Sequence, residues 1–477
     1  MLQHQSLRHV LRRYVPFVFA ALTALPLALA ADDGNPIGGR VLAFDLGGAL
    51  TDRAAAVAVQ ADGRIVVAGT VATGGSSWAP ALARFLPDGS LDASFGNGGK
   101  VVSPFGVIAF NDSIAALHLL ADGRILVAGT ADWGAGDQDF WVGRLLPTGA
   151  PDTTFGQIAA VGATLVLFDL GHDLTDTLGA MTVDRSGRIL LAGTVDVSST
   201  NTDFGVARLS ANGVLDTEFS ADGKATVGFV SGGIDLGLAV EVDTAGRAVV
   251  AGAAWANDSG GHFNVGVARL LADGTSDSGF GSAGTSEVGM AGGGTNNEFA
   301  WALGVWPDGE IVVAGDAASG ADEWITQLGR FSPSGAYLGG VLGPFCSFGS
   351  PPCPTQPQDS VRALRLQGDG KILLGGFARG LAANSDFGVG RFHRDLAPDF
   401  AFGTAGRVIL DFAQGGGDND FGAGLALDHD GRIVVAGSAE KNGLDTSFAW
   451  ARFQSSYVFA DGFDWPGGSS RWSVVTP

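Results

Sequence analysis

The chain has 477 residues, 76 of them glycine, with 46% hydrophobic and 16% charged residues and a formal charge of −21. A composition this apolar excludes a disordered chain, and the acidic balance excludes nucleic acid and anionic lipid as partners. Abundant glycine beside short β-branched runs points to many strands joined by many turns.

Residues 1–30 read as a secretory signal peptide. "RHVLRRY" supplies positive charge, "VPFVFAALTALPLALA" an apolar run shorter than the usual ~20-residue span, and Ala28, Leu29 and Ala30 a cleavage site. An uncleaved membrane anchor is the alternative, and Arg12–Arg13 supports twin-arginine export only loosely. The segment holds three arginines and no acid, so its removal takes the charge from −21 to −24. No second apolar run approaches the length of a membrane span. The expected address is therefore outside the inner membrane, in the periplasm, the medium or on the cell surface.

From residue 31 to 455 the chain repeats itself. "ADGRIVVAGT" at 61–70 returns as "ADGRILVAGT" at 121–130 and "HDGRIVVAGS" at 429–438. The glycine of this turn falls at Gly63, Gly123, Gly187, Gly246, Gly309, Gly370 and Gly431, 59 to 64 residues apart. Six residues later stands another glycine, from Gly69 to Gly437. Further on stands an arginine: Arg84, Arg144, Arg208, Arg269, Arg330, Arg391 and Arg452.

Each unit reads as four strands. The first alternates apolar and small residues, as in "AAAVAV" and "GLAVEV". A tight turn follows, Asp-Gly in five of seven units, which is a hairpin signal. The second strand, "RIVVAGT", is apolar on both faces and so buried on both. A variable loop leads to a third strand such as "GVARL", then a "PDGSLDASFG" turn and a fourth strand such as "GRVILDF".

A sheet with two apolar faces needs neighbours on both sides, and a closed ring provides them. The prediction is an all-β chain: a seven-bladed β-propeller of four-stranded antiparallel blades. The seventh unit ends at "FAWARFQ" without a fourth strand, and "GRVLAFDLGG" (residues 39–48) is a fourth strand without a unit. The N-terminal strand is therefore expected to complete the last blade and close the ring, which removes two exposed edges. An open solenoid is the alternative. The tail, residues 456–477, lies outside the period and resembles short "DGFE…W" endings of other secreted bacterial proteins. It is too short to hold a core.

The linked motifs "DGRIVVAG", "ALARFLPDGSLD" and "SFG", recurring over residues 39–455, resemble the delta-60 repeat β-propeller family of secreted and surface bacterial proteins. The fifth unit departs from the pattern: "FSPSGAYLGGV" lacks the "LDxSFG" turn. The resemblance implies a fold and a location and no defined chemistry.

Three features are candidates for a site. Eleven residues before each turn glycine stands a carboxylate: Asp52, Asp112, Asp176, Asp235, Glu298, Asp359 and Asp420. They are expected around one mouth of the central channel. There they either accept backbone N–H groups of their own loops, the favoured reading, or hold a hard cation such as Ca²⁺. Trp78, Trp133 and Trp255 fall in loops of the same face, where they either bind a ligand or plug gaps between blades. The arginine series meets Asp92, Asp152, Asp216, Asp277 and Asp399 eight residues on, which reads as partly exposed ion pairs pinning a turn.

Cys346 and Cys353, in "CSFGSPPC", are expected to form a disulfide in an oxidising compartment. "GFGSAG" (279–284) precedes a strand rather than a helix, so it is no dinucleotide fingerprint. The histidines lie in different units without ligand spacing. No nucleophile, catalytic base or cofactor cradle emerges. The expectation is an exported binding or scaffold module for a protein, peptide or glycan. Its alternative is a propeller enzyme, a lyase or hydrolase, using carboxylates of the channel mouth.

Overall fold

The computed structural model describes residues 38–42 and 51–453, apart from loop residues 75–76, 106–110, 135, 159–160, 169, 171–174, 230–232, 257–260, 291–295, 319–322, 344, 346–358, 380–383, 413–418 and 442–444. The expected signal peptide (residues 1–30), both cysteines of the expected disulfide and the C-terminal tail lie outside the described residues.

The described residues form seven antiparallel sheets, each following the order first, second, third, fourth strand from the axis outward. Blade 3 is typical: Thr177–Val183, Ile189–Ser198, Asn201–Leu209 and Lys224–Val227. In blade 2 the first strand is split into Asn111–Asp112 and Ala116–Leu119, and both pieces pair with the second strand. Blade 7 takes Asp420–Leu427, Ile433–Lys441 and Asp445–Phe453 from the end of the chain. Gly38–Leu42 is its outermost strand, with Gly38 opposite Arg452 and Leu42 opposite Phe448. The first strands of successive blades touch all the way round, and the first strand of blade 7 meets that of blade 1, so the ring is closed.

The repeated glycine of the second strand has a geometric cause. In six blades the register slips by one residue after the second or third position of the first strand. Such a bulge leaves an extra residue on one strand and pushes its backbone toward the other. A Cβ added to Gly252 would lie 1.8 Å from the Leu236 carbonyl oxygen. At Gly129 the corresponding gap to the Ser113 oxygen is 1.7 Å, and at Gly437, opposite Phe421, 1.9 Å. No side chain fits there.

Between blades lie separate apolar seams rather than one central core. One joins Leu190, Phe204 and Val206 of blade 3 to Val240, Val250 and Leu270 of blade 4. Another joins Val57, Val67 and Phe85 of blade 1 to Val434, Phe448 and Trp450 of blade 7. Each second strand serves two seams through alternate residues, which is why "IVVAG" is apolar on both faces.

The arginine series completes the seams. Nε of Arg84, Arg144, Arg208, Arg269 and Arg391 each donates to Oδ2 of the aspartate eight residues on, at 2.8 Å. The expected partial exposure is corrected here: these guanidiniums are buried. The reason is that Arg84, Arg144, Arg208 and Arg269 also reach the next blade. Arg144 Nη1 donates to the Ala211 carbonyl at 2.7 Å, Arg84 to that of Pro147 and Arg208 to that of Ala272. A phenylalanine ring covers each, as Phe155 does Arg144 at 4.6 Å. The turn motif "LDxSFG" is thus an arginine receptor, and the arginine rivets neighbouring blades.

Candidate functional site

All seven predicted acids are buried, none more than 6% exposed. Each stands at or next to the start of a first strand, and five show how it is held. Asp235 Oδ1 accepts from the Trp255 N–H at 3.0 Å in its own blade, and Oδ2 from the Phe229 N–H at 2.7 Å at the end of the preceding one. Asp176 accepts from Asp196 N–H, Asp359 from Arg379 N–H, Glu298 from Met290 N–H and Asp420 from Phe412 N–H. These carboxylates are staples at the strand start, and Asp176, through the Phe168 N–H, Asp235, Glu298 and Asp420 reach across the blade junction.

Burial makes the staples unusual acids. It pushes Asp176 up to about 7, partly offset by the Asp196 N–H, with the Asp139 charge adding to the rise. It raises Asp235 and Asp359 to about 6. Asp420 rises to about 8 through burial and the nearby Asp411 and Asp386 charges, against the pull of the Phe412 N–H. Asp386, on the third strand of blade 6, rises to about 7 through burial and Asp411. Asp386, Asp411 and Asp420 bring ligand atoms within 4.8 Å of one another, and among the described residues they are the one such group of three with metal-ligand spacing. The other six predicted acids do not join such a group.

The three predicted tryptophans are half-buried and lie in three blades. Trp78 packs under Arg53, whose guanidinium carbon is 5.1 Å from the ring centre. Trp133 Nε1 donates to Asp139 at 2.9 Å. Trp255 meets Phe263 edge-on at 5.1 Å. Trp255 joins a larger aromatic group, with Phe263, Phe299, Trp301 and Trp324 of blades 4 and 5, and Trp133 packs against the seam that holds Phe105 and Trp141.

Around the acid-side mouth, blades 5 and 6 carry unusually large polar or aromatic residues. The third residue after the acid is Ala55, Ala115, Gly179 or Ala423 in four blades and Leu238 in blade 4, but Trp301 in blade 5 and Arg362 in blade 6. Arg362 stacks on Trp301 at 4.1 Å and stands 5.9 Å from Phe377. Phe377 meets Phe421 of blade 7 edge-on at 5.1 Å, and Phe421 is 38% exposed. Beneath them Asp316 is fully buried. It accepts from Trp301 Nε1 at 2.9 Å, the Ser360 hydroxyl at 2.7 Å and the Val361 N–H at 3.1 Å. In blades 1 and 2 threonine hydroxyls hold the equivalent place, Thr70 under Ile114 and Thr130 under Leu178. Sequence reasoning missed this platform because it looked for what the units share. The signal was in what blades 5 and 6 do not share.

A family model described as a domain of unknown function (DUF5122) β-propeller matches residues 60–95, 120–155, 185–219 and 246–280. These segments run from the Asp-Gly-type turn to the arginine-receptor turn of blades 1 to 4. No curated protein matches the chain. Among solved structures, a protein of unknown function from Dyadobacter fermentans is 15% identical, with 88% of this chain and 98% of that chain covered at a TM-score of 0.46. The polysaccharide lyase Uly1 is 11% identical, with 91% and 96% covered at 0.49. The Hadza microbial sialidase Hz136 is 9% identical, with 92% and 98% covered at 0.42. The family match and the seven sheets together make this chain a repeat β-propeller.

Proposed function

We propose that the protein is an exported binding module of the delta-60 repeat type, and that its ligand is a glycan taken at the acid-side mouth of the channel. The observation that carries this reading is the platform of Trp301, Arg362, Phe377 and Phe421, which spans three adjacent blades and breaks the repeat at Trp301 and Arg362. At the shared position of Trp301 and Arg362 folding asks only for a small residue, as four blades demonstrate. Aromatic faces bind the C–H side of sugar rings, and Phe421 offers part of such a face to solvent at the channel rim. Arg362 is already occupied by Trp301 and by Asp316 at 3.8 Å, so the platform favours neutral sugars over acidic ones. Export rests on residues 1–30.

A glycan array probed with wild type and with the Trp301→Ala and Phe421→Ala variants tests the reading. Retention by wild type and loss of about tenfold or more in both variants is expected. Equal retention by all three removes the platform from function.

A second reading, a propeller enzyme, is favoured by one observation: Asp386 and Asp420 hold protons near neutral pH beside Asp411. A carboxyl with so raised a pKa is suited to general-acid work. Glycan turnover by wild type that disappears in Asp386→Asn supports it. The same group is where Ca²⁺ belongs if this face takes a cation, and a melting temperature unmoved by millimolar Ca²⁺ removes that idea.

A further inference from the structure

We propose that the segment "YVFADGFDW" (residues 457–465) docks on blade 7 and supplies the receptor that Arg452 lacks, with Asp461 accepting from its guanidinium and Phe463 covering it. The segment lies outside the described residues; the seat it fills is described.

Arg452 is the seventh member of the arginine series, and half of its rivet is in place. Its Nη2 donates to the Pro87 carbonyl of blade 1 at 2.9 Å, as Arg144 Nη1 does to that of Ala211 in blade 3. The other half is open. In five blades Nε of the arginine donates to an aspartate eight residues on, and in blade 5 it pairs with Glu310. Nε of Arg452 is buried too, yet among the described residues nothing accepts from it. A buried charged donor without an acceptor is costly. A second cation stands at the same place. The residue after the turn glycine, Arg64, Arg124, Arg188, Arg247 or Lys371, reaches its blade's receptor aspartate at 3.0–3.9 Å. Its counterpart in blade 7, Arg432, pairs instead with Asp428 and Asp430 of its own turn. Burial, and then the charge of Arg432, push the Arg452 guanidinium down, against Asp428 and Asp430. Two cations thus converge where the other blades place a carboxylate between them.

The chain that leaves this seat carries what the seat asks for. Residue 454 follows directly on the third strand, Asp445–Phe453, and the fourth-strand place beside that strand is filled by Gly38–Leu42. Phe463 stands eleven residues after Arg452. That is the offset of Phe95, Phe155, Phe219, Phe280 and Phe402 from their own arginines, and those ring centres lie 4.6–4.9 Å from the guanidinium carbons. Asp461 stands nine residues after Arg452, against eight elsewhere. Gly462 between the two gives the backbone the freedom that the shorter Asp-to-Phe spacing needs. A carboxylate beside an aromatic ring complements two cations, through charge-assisted hydrogen bonds and the ring face. Phe453 pairs with Ile433, just after the Gly431 turn, so the seat is on the turn side of the ring, away from the acid-side mouth and its platform.

Hydrogen exchange of the chain from residue 31 to 477 tests this. Asp461→Asn and Phe463→Ala are each expected to speed exchange of Asp445–Phe453 by about tenfold or more while leaving blade 3 unchanged, and Asp464→Asn to change nothing. Arg452→Gln should add nothing to Asp461→Asn, because the two act through one pair. A synthetic peptide of residues 454–466 should restore slow exchange to a chain that stops at residue 453, and the same peptide carrying Asp461→Asn should not. Unchanged exchange in Asp461→Asn, or losses that add in the double variant, overturns the proposal. So does protection that fades on dilution, which would put a second copy's segment in the seat.

Discussion

Arg144 stands between an acid of its own blade and a carbonyl of the next, with a phenylalanine ring on its face. Breaking such a pair leaves a charge buried and alone, which costs about 3–5 kcal/mol. Asp152→Ala is therefore expected to destabilise the protein by that amount in denaturant unfolding. A loss below about 1 kcal/mol would show that the pair is only decorative. Burial pushes Asp152 up, but the Thr154 hydroxyl and N–H and the Arg144 guanidinium pull it down to about 2. Its contribution is thus intact above the ordinary carboxylate range and fades only as pH falls toward 2. The junction staples have the opposite sign. Asp176, Asp235 and Asp359 bind protons in the fold at pH values where the unfolded chain has released them. Stability is then greatest below about pH 4 for these groups and falls as pH rises toward 7. Every tenfold gain in a group's proton affinity on folding corresponds to about 1.4 kcal/mol of this dependence. His118, held neutral in the fold, opposes this weakly below its ordinary value. The melting temperature should be higher at pH 5 than at pH 8, and Asp176→Asn should flatten that slope. A melting temperature that rises from pH 5 to 8 refutes the assignment.

Blade 5 shows how an element survives the loss of its motif. Its third strand, Trp324–Phe331, keeps Arg330 but meets Leu338 where the other turns place aspartate. Glu310, beside the Asp308–Gly309 turn, takes over and pairs with Arg330 Nε at 2.6 Å. Arg394, from the next blade, adds a second cation to Glu310 at 2.9 Å. In blades 1, 2, 3, 4 and 6 an aspartate is flanked by two cations; here a glutamate on the other turn is. Glu310→Gln should weaken this blade alone, by about 2–4 kcal/mol, and raise hydrogen exchange of its first three strands above that of blade 3. Uniform exchange across the blades would contradict the substitution of roles. This exchange of partners is written in the sequence as a charge swap, Glu310 standing after the turn glycine where the six other units have Arg or Lys, but a comparison of what the units share passes over it. Elements whose residues recur were legible: the strand order, the glycine of the second strand and the five Arg–Asp pairs. Residues that matter by departing from the repeat, such as Trp301 and Arg362, were hidden by the comparison that found the fold.

The ring itself is closed by contacts from both ends of the chain. Gly38–Leu42 pairs along the third strand of blade 7, and Leu42 enters the seam with blade 1. Arg40 Nε donates to the Gly89 carbonyl at 2.9 Å, and Arg452 Nη2 to that of Pro87 at 2.9 Å. Arg452 thus does for blades 7 and 1 what Arg144 does for blades 2 and 3. Removing residues 31–48 takes away the strand and leaves Arg452, so the ring loses one fastening and keeps another. It also bares the edge of Asp445–Phe453, a strand rich in apolar residues, which is a template for pairing with a second molecule. Loss of the Leu42 and Val41 side chains from the seams costs about 3–5 kcal/mol by burial alone. The truncated protein should therefore fold with a lower denaturant midpoint and self-associate in light scattering. A synthetic peptide of residues 36–48 should restore both the midpoint and the monomer, because the groove it enters is preformed by the other three strands. A scrambled peptide should do neither. If the truncated chain unfolds at the original midpoint, the N-terminal strand is an ornament on a ring that closes without it.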